Sequence, residues 1–361
     1  VLGMAVNAGI YCLGVPHSEN KSSGNAKGKN RFSLFSESFE DAVWEGELDN
    51  IERQDGKYKW TNYCLGVLKE LQIRGLAPRE GFRLIFTSNL PTSVGLSSSA
   101  ALELASAHTI LQLAGKSLPT KELANLCRTA ENKFVGLPCG ILDQGTSAFG
   151  KKDHLVHIDC HKEIFTNLSI PSNTKVWVFN TGIKHDLVDS LYSTRHQECL
   201  DALKIGLDSY PENDRLTNFT HEQIKSLSLP ENLKNRAIHI SQEQKRVLAF
   251  RKGISDGLEP SELGKLLAES HYSSSLYFEN SCPELDYLSQ ELNRLIEVYG
   301  ARLTGGGFGG AVMAWTSKKF SQTDALSIVS TYQEKFNQTI DCHQFEPSDG
   351  ARKEKLLGES N

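Results

Sequence analysis

Three consecutive serines lie where a strand-like segment gives way to a helix. The segment Pro91–Ala101 reads Pro-Thr-Ser-Val-Gly-Leu-Ser-Ser-Ser-Ala-Ala and follows an alternating strand pattern over 82–87. A helix N-terminus presents unpaired N–H groups and a positive dipole end, so it favours anions. Because Gly95 permits close approach to the backbone, we predict a phosphate loop. The alternative is a plain serine N-cap, and no Walker A sequence follows.

Two acidic residues fall in apolar surroundings, where a carboxylate needs a partner or a ligand. Glu131 lies on the apolar stripe of a helix predicted over 120–134. The alternatives for Glu131 are a basic partner, or a place at the edge of the stripe where water reaches the carboxylate. We favour a metal ligand, because a phosphate loop implies a magnesium ion nearby. Asp143 follows a Gly- and Pro-rich turn over 136–140. It is predicted either to cap a helix or turn, or to receive the proton of a substrate hydroxyl.

A second glycine-rich segment, 305–310, contains five glycines in six positions between two strand-like segments. Such a run permits close approach of the backbone either to a ligand or to the phosphate loop. Trp60 and Tyr63 lie one turn apart at the start of a predicted helix. They predict either a wall for a nucleotide base or ordinary core packing.

The composition limits the class of protein. The 361 residues are 39% hydrophobic and 23% charged, as in a globular chain of one or two domains. A net charge of −5 argues against nucleic-acid binding, and no segment has the length of a membrane span. Eight scattered cysteines without a Cys-x-x-Cys pair disfavour a zinc site or a disulfide framework. We therefore expect a reduced, cytoplasmic protein.

The order of the predicted elements indicates an α+β protein with two domains. Strand and helix patterns alternate through the first half, and later helices include one predicted over 282–299. We place an N-terminal domain at 1–172, a C-terminal domain at 173–346 and a charged tail at 347–361. Because small-molecule sites are common in clefts between domains, we expect the active site there.

These motifs resemble those of the galactokinases, a branch of the GHMP small-molecule kinases. The stretch 91–101 is similar to the phosphate loop Pro-x-Gly-x-Gly-Leu-Ser-Ser-Ser-Ala, with Ser93 at the first glycine. The segment 136–144 resembles the motif Gly-x-x-Cys-Gly-x-x-Asp-Gln, and 301–315 resembles the third GHMP motif. The resemblance covers essentially the whole sequence. It implies a GHMP kinase fold, with an N-terminal β/α domain and a C-terminal ferredoxin-like α+β domain.

The resemblance also implies an ATP-dependent sugar 1-kinase that phosphorylates the anomeric hydroxyl of galactose with Mg²⁺. It implies that Asp143 is the catalytic base and that Ser99 and Glu131 hold the magnesium ion. The implied sugar contacts are Cys139, Gly140, Asp143 and Tyr192. The implied nucleotide contacts are Ser93, Val94, Gly95, Leu96, Ser97, Ser98, Ser99, Trp60 and Tyr63.

Galactokinases also carry a Gly-Glu-His-x-Asp-Tyr motif, which supplies most of the hydroxyl contacts to the sugar. In the family it precedes the residues that match Val1–Met4, so we expect the sequence to lack its natural start. The sugar identity stays open between galactose and a related sugar such as N-acetylgalactosamine. A third possibility is a non-catalytic sensor of sugar and ATP, against which Asp143, Glu131 and Ser99 argue. We expect a monomer whose partners are sugar and ATP, without nucleic acid or membrane.

Overall fold

A computed structural model describes residues 1–17, 30–39, 43–91, 95–183 and 188–354, and they fall into two units. The N-terminal unit contains the described parts of Leu2–Leu90, Ser97–Asn167 and Pro347–Asn361. The C-terminal unit contains Val1 and the described parts of Pro91–Leu96 and Leu168–Glu346. Each unit is built around its own hydrophobic core.

The N-terminal unit contains two sheets and four helices. Its strands are β1 (Leu2–Gly3), β2 (Ile10–Pro16), β3 (Arg31–Ser36), β4 (Trp44–Glu47), β5 (Phe82–Ser88), β6 (His154–Asp159) and, at the unit boundary, β7 (Ile164–Ser169). Its helices are α1 (Thr61–Ile73), α2 (Ser98–Leu113), α3 (Thr120–Ala130) and α4 (Leu142–Phe149). The strand orders are β2-β5-β3-β4 and β1-β6-β7.

Strand alternation and helix periodicity build the N-terminal core. Strands β3 and β5 run parallel, with Leu34 opposite Leu84, and both side chains are buried. On α1, Leu65, Leu68 and Leu71 recur every third residue and are buried against the same core. The sheet and α1 therefore form a fixed base for α2 and α3.

The helix predicted over 120–134 is confirmed, and its end departs from α-helical geometry. Helix α3 stops at Ala130, and a π-helical turn follows over Glu131–Val135. Gly136 closes this turn in the left-handed region, at φ 86°. Single π turns are frequent at functional sites because they re-aim a side chain, and here the turn begins at Glu131.

The C-terminal unit contains one antiparallel sheet with the order β11-β8-β10-β9. Its strands are β8 (Thr174–Asn180), β9 (Val298–Thr304), β10 (Ala311–Ser317) and β11 (Cys342–Phe345). Its helices are α5 (Val188–Ser209), α6 (His221–Ser226), α7 (Glu231–Asp256), α8 (Pro260–Ser273), α9 (Pro283–Asn293) and α10 (Gln322–Phe336). The glycine-rich loop, residues 305–310, joins the neighbouring strands β9 and β10.

The helix predicted over 282–299 is wrong at its C-terminal end. Helix α9 ends at Asn293, whose Oδ1 accepts the Ala301 N–H at 2.9 Å. Val298 and Tyr299 belong instead to strand β9, which pairs with β10. The apolar residues of this segment suit both periods, and pairing with a neighbouring strand decides between them.

The predicted α+β class is confirmed by these two units. Residues 347–350, which the sequence places in a tail, are attached to the N-terminal unit. The Ser348 N–H donates to the Ala5 carbonyl, and the Gly350 N–H donates to the Gly150 carbonyl, both at 2.9 Å. All eight cysteines are free thiols. Within the described residues, no helix is both long and apolar enough to cross a membrane.

Candidate active site

Ser97 begins helix α2 in a left-handed backbone conformation, with φ 49° and ψ 52°. This conformation costs about 1 kcal/mol for a residue other than glycine. The Ser97 side chain makes no capping hydrogen bond to the helix, and it hydrogen-bonds to Asp143 instead. The plain N-cap alternative is therefore wrong for Ser97. Ser98 is exposed and Ser99 is half-buried in the first turn of α2, where unpaired N–H groups favour an anion.

Three carboxylates and one amide form a buried group that we call the acidic cluster: Glu103, Glu131, Asp143 and Gln144. Gln144 on α4 is fully buried, and its Nε2 donates to Glu131 Oε2 at 2.6 Å. The same nitrogen donates to Oε2 of the fully buried Glu103 on α2 at 3.0 Å. One amide therefore connects α2, α4 and the π turn after α3.

The carboxylates of the acidic cluster are not paired with basic side chains from the described parts of the chain. Within the described residues, no lysine or arginine forms an ion pair with its carboxylates, and Glu103 Oε1 is buried without a hydrogen-bond partner. Burial raises the pKa of Glu103 to about 9, and the charges of Glu131 and Asp143 add to this shift. Burial also raises the pKa of Asp143, an effect that the Ser97 hydrogen bond opposes and Glu131 reinforces. The cluster would therefore be stabilised by a cation.

The turn that contains Cys139 is tied to the acidic cluster. Asn132 Oδ1 accepts the Cys139 N–H at 2.7 Å, and Asn132 Nδ2 donates to the Cys139 carbonyl at 3.2 Å. The Cys139 thiol donates to Glu131 Oε2 at 3.2 Å. The next residue, Gly140, is exposed, and a Cβ built there would meet nothing within 4 Å. The structure thus brings Cys139, Glu131 and Asp143 together, with an open backbone position at Gly140.

Trp60 is packed into the aromatic part of the N-terminal core. Its ring stacks on Phe39 at 5.6 Å and meets the Phe86 ring edge-on at 6.0 Å. The contact with the buried Phe86 is the core packing that the sequence allows as an alternative, whereas Phe39 is itself exposed. Tyr63 lies half-buried one turn along α1. The role of these two residues at an adenine ring stays a prediction.

In the C-terminal unit, the start of the serine-rich stretch meets the glycine-rich loop. Gly95 has φ 66°, and a Cβ there would lie 3.3 Å from the Thr304 carbonyl oxygen. A Cβ at Gly305, with φ 80°, would lie 3.6 Å from the Gly95 Cα. Two partners were predicted for the glycine-rich loop, a ligand and the phosphate loop, and the structure shows its approach to the phosphate loop. Leu96 is half-buried, whereas the predicted contacts Ser93 and Val94 lie outside the described residues.

Tyr192 lies beside the glycine-rich loop. It is near the start of α5, and its side chain is 42% exposed. A Cβ built at Gly306 would lie 3.7 Å from the Tyr192 ring. The predicted sugar-contacting tyrosine therefore neighbours the loop backbone.

Two residues of the acidic cluster, Glu103 and Gln144, were not predicted from the sequence. Glu103 stands in the run Ala-Ala-Leu-Glu-Leu-Ala, which is the same signal of an acid among apolar residues that identified Glu131. Gln144 is uncharged and gives no such signal, although it is the last residue of the motif that 136–144 resembles. Its role follows only from the two hydrogen bonds that it donates.

Comparisons with known families match both halves of the chain. The family description "GHMP kinases N terminal domain" matches residues 62–151, and "GHMP kinases C terminal" matches residues 257–337. A galactokinase from Thermotoga neapolitana is 36% identical over 325 residues, covering 90% of this chain and 88% of its own. A galactokinase from Pasteurella multocida is 37% identical over 294 residues, covering 81% and 76% respectively.

Solved structures show the same relationship. The crystal structure of a Lactococcus lactis galactokinase complexed with galactose has a TM-score of 0.88 at 28% identity, covering 96% of this chain and 87% of its own. The Methanococcus jannaschii mevalonate kinase shares the fold, with a TM-score of 0.63 at 16% identity over 96% of this chain and 90% of its own. The GHMP kinase architecture expected from the sequence is confirmed.

Proposed function

This chain belongs to the galactokinase family of the GHMP kinases, and from that premise we propose that it transfers the γ-phosphoryl group of ATP to the anomeric hydroxyl of galactose. The observation that carries the proposal is the acidic cluster at the N-terminus of α2. It combines an anion-binding helix end with carboxylates that lack a basic partner among the described residues. Phosphoryl transfer requires both features, because it depends mainly on positioning and charge neutralisation.

Asp143 acts in this proposal as the base. Its carboxylate accepts the proton of the anomeric hydroxyl while the hydroxyl oxygen forms a bond to the γ-phosphorus. The bond from the γ-phosphorus to the bridging oxygen breaks, and ADP leaves. Burial supports this role because it raises the pKa of Asp143 and brings its proton affinity closer to neutral pH. The Ser97 hydroxyl orients the carboxylate.

Backbone and hydroxyl groups bind the phosphates in this proposal. Ser97, Ser98 and the N–H groups of the first turn of α2 offer donors to the anion, and Gly95 leaves its backbone open to it. Cys139, Gly140 and Tyr192 are the proposed sugar contacts. The exposed backbone at Gly140 and the half-exposed Tyr192 ring support this assignment.

The chemistry of the donor set fits a magnesium ion. Carboxylate and hydroxyl oxygens are the protein ligands that Mg²⁺ prefers. Ser99 lies four residues before Glu103 and so on the same face of α2, and Gln144 links Glu103 to Glu131. We propose that Ser99 and Glu131 hold Mg²⁺. When bound, it would neutralise the charge of the phosphates and of the acidic cluster.

Product formation with a panel of sugars tests this function. ATP, MgCl₂ and galactose, N-acetylgalactosamine or glucose are incubated with the protein, and ADP and the sugar 1-phosphate are quantified. We expect galactose 1-phosphate as the main product. Preferred turnover of N-acetylgalactosamine would reassign the sugar, and ATP binding without turnover of any sugar would favour a sensor.

A magnesium titration tests the metal ligands. In Glu131→Gln the carboxylate is lost, so the Mg²⁺ concentration for half-maximal activity should rise at least about tenfold. Glu122→Gln on the exposed side of α3 is the matched control and should leave it unchanged. Equal Mg²⁺ dependence in both variants would remove Glu131 from the metal site. The monomeric state and cytoplasmic location stay predictions, which sedimentation and cell fractionation check.

A further inference from the structure

Two arginines, of which Arg236 is buried, form a cluster of ion pairs close to the glycine-rich loop. Arg236 on α7 is 1% exposed and pairs with Glu198 Oε2 at 2.7 Å and Glu279 Oε2 at 2.9 Å. Arg195 on α5 pairs with the same Glu198 oxygen at 3.1 Å. We call these four residues the arginine cluster. Their opposite charges are satisfied within the C-terminal unit, so the cluster has the composition of a rigid support.

The arginine cluster holds the end of a helix. After α8 the chain makes a π turn over 274–278, and Glu279 leaves it in the left-handed region at φ 53°. Carbonyl groups at a helix end lack intrahelical donors. Arg195 Nε donates to the Phe278 carbonyl at 2.8 Å, and its Nη2 donates to the Glu279 carbonyl at 3.2 Å. The corner after the π turn is thus fixed by side-chain donors.

This corner is bonded directly to the glycine-rich loop. The Asn280 carbonyl accepts the Phe308 N–H at 2.7 Å, and Asn280 Nδ2 donates to the Gly306 carbonyl at 3.1 Å. A Cβ at Gly307 would lie 2.1 Å from the Asn280 oxygen, so only glycine permits this approach. The Arg195 guanidinium also lies 5.8 Å from the centroid of the Phe308 ring. Arg195 therefore touches both the corner and the loop.

Helix α5 brings the tyrosine into the same assembly. Tyr192 precedes Arg195 by three residues, so both lie on one face of α5, and the Tyr192 ring is beside Gly306. We propose that Arg195 is a positioning residue that holds Tyr192 and the glycine-rich loop in one arrangement. Its effect on sugar affinity rests on the proposed function, whereas its effect on the loop does not.

Only an arginine can make this set of contacts. The guanidinium donates in three directions, to two carbonyls and to Glu198, and presents a flat face to Phe308. A lysine ammonium keeps the charge but offers one donor centre and no plane. Arg195→Lys therefore removes the geometry and retains the charge.

Hydrogen exchange and kinetics on Arg195→Lys test the proposal. We expect faster amide exchange in a peptide covering 304–312, where the Phe308 N–H is held by the corner. We also expect the KM for galactose to rise about tenfold, the effect of losing one charge-assisted hydrogen bond, with KM for ATP changed less than about twofold. Arg246→Lys is the matched control, because Arg246 is also 14% exposed and pairs with an acid one turn away, Glu243.

Hydrogen exchange and kinetics together distinguish failure of the positioning role of Arg195 from failure of the proposed galactose kinase activity. Loop exchange equal to that of the Arg246 control overturns the positioning role, whatever the turnover. If the wild type does not phosphorylate galactose, the proposed function fails and loop exchange alone decides the inference. If Arg195→Lys does not fold, Phe308→Leu replaces it, since it keeps an apolar side chain at this buried position and removes the ring that faces the guanidinium. Exchange in 304–312 should again rise, and unchanged exchange would reject the proposal.

Discussion

The acidic cluster and the arginine cluster each contain a fully buried charged residue, Glu103 and Arg236, but among the described residues it is only in the second cluster that the charge is paired with an opposite charge. In the arginine cluster, Arg236 meets two carboxylates within 3 Å, so its charge is compensated in the folded protein. In the acidic cluster, Glu103 and Asp143 have no basic partner within the described part of the chain, and burial raises both pKa values. The arginine cluster, whose charges are paired, is suited to hold the backbone in place. The uncompensated cluster is suited to receive an outside cation or proton.

The difference teaches where to look for chemistry among buried charges. A paired ion serves the fold, because breaking the pair would leave one desolvated charge. An unpaired acid costs stability and is explained by a ligand or a reaction. Burial alone would raise the pKa of Glu198, but hydrogen bonds from Arg236 and Asn232, together with the charge of Arg236, lower it below its ordinary value. The pKa of Glu103 is shifted in the opposite direction.

The largest loss of activity is expected when Asp143 is replaced. Asp143→Asn keeps the shape and removes the base, so kcat should fall by about 10²- to 10⁴-fold while ATP binding persists. Steady-state kinetics and calorimetry with ATP check this. Asp159→Asn changes a half-buried carboxylate at the end of β6 in the same unit, where an amide oxygen still accepts the His161 N–H, and it should retain activity. Turnover of Asp143→Asn within twofold of the wild type would refute its role as the base.

Arg236→Met tests the arginine cluster through the free energy of unfolding. Removing the guanidinium breaks two ion pairs and leaves Arg195 as the remaining arginine partner of Glu198 and Glu279, so the free energy of unfolding should fall by about 3 kcal/mol. Urea denaturation measures the loss. Arg294→Met breaks a pair with Glu291 in which the arginine is 61% exposed, and it should cost less than about 1 kcal/mol. Equal losses of unfolding free energy in Arg236→Met and Arg294→Met would show that burial of the arginine does not decide how much an ion pair contributes.

Glu103→Gln should change how stability depends on pH. The folded-state pKa of Glu103 is about 9, above its ordinary value of 4.5, so between these pH values the folded state holds the extra proton. The stability from this group is complete below pH 4.5 and is lost as pH rises through 9, at up to about 1.4 kcal/mol per pH unit.

Urea denaturation of magnesium-free protein at pH 6, 7 and 8 measures this slope. Glutamine does not titrate, so Glu103→Gln should flatten the decline of stability with pH. The same slope in wild type and variant would show that Glu103 is not the group that titrates.

A loss of stability as small as that of Arg294→Met is expected at a half-buried pair in the N-terminal unit. Arg128 Nη2 lies 3.0 Å from Glu163 Oε1, with the side chains 29% and 25% exposed. Glu163→Gln should cost less than about 1 kcal/mol because water screens the pair. A loss comparable with that of Arg236→Met would mean that pairing, and not burial, sets the scale.

The sequence predicted those parts of the fold and site that depend on local pattern. The serines before α2 and the acid Glu131 on an apolar stripe were identified because each breaks a helical pattern visible in one segment. Strand β9 was mistaken for a continuation of α9, since only pairing with β10 distinguishes the two. Gln144 was missed because it is recognised by long-range hydrogen bonds to Glu103 and Glu131. The contact between Gly95 and Thr304 likewise joins distant segments.

Segments near the two ends of the described chain lie side by side. Val6 bridges to Pro347, and Ala5 accepts the Ser348 N–H. In topological terms, most of the C-terminal unit is therefore an insertion between two parts of one N-terminal unit. A circular permutant in which a flexible linker leads from the segment after Ser348 back to the segment before Ala5 would keep these pairings. It could be opened anew at an exposed connection such as residues 211–212.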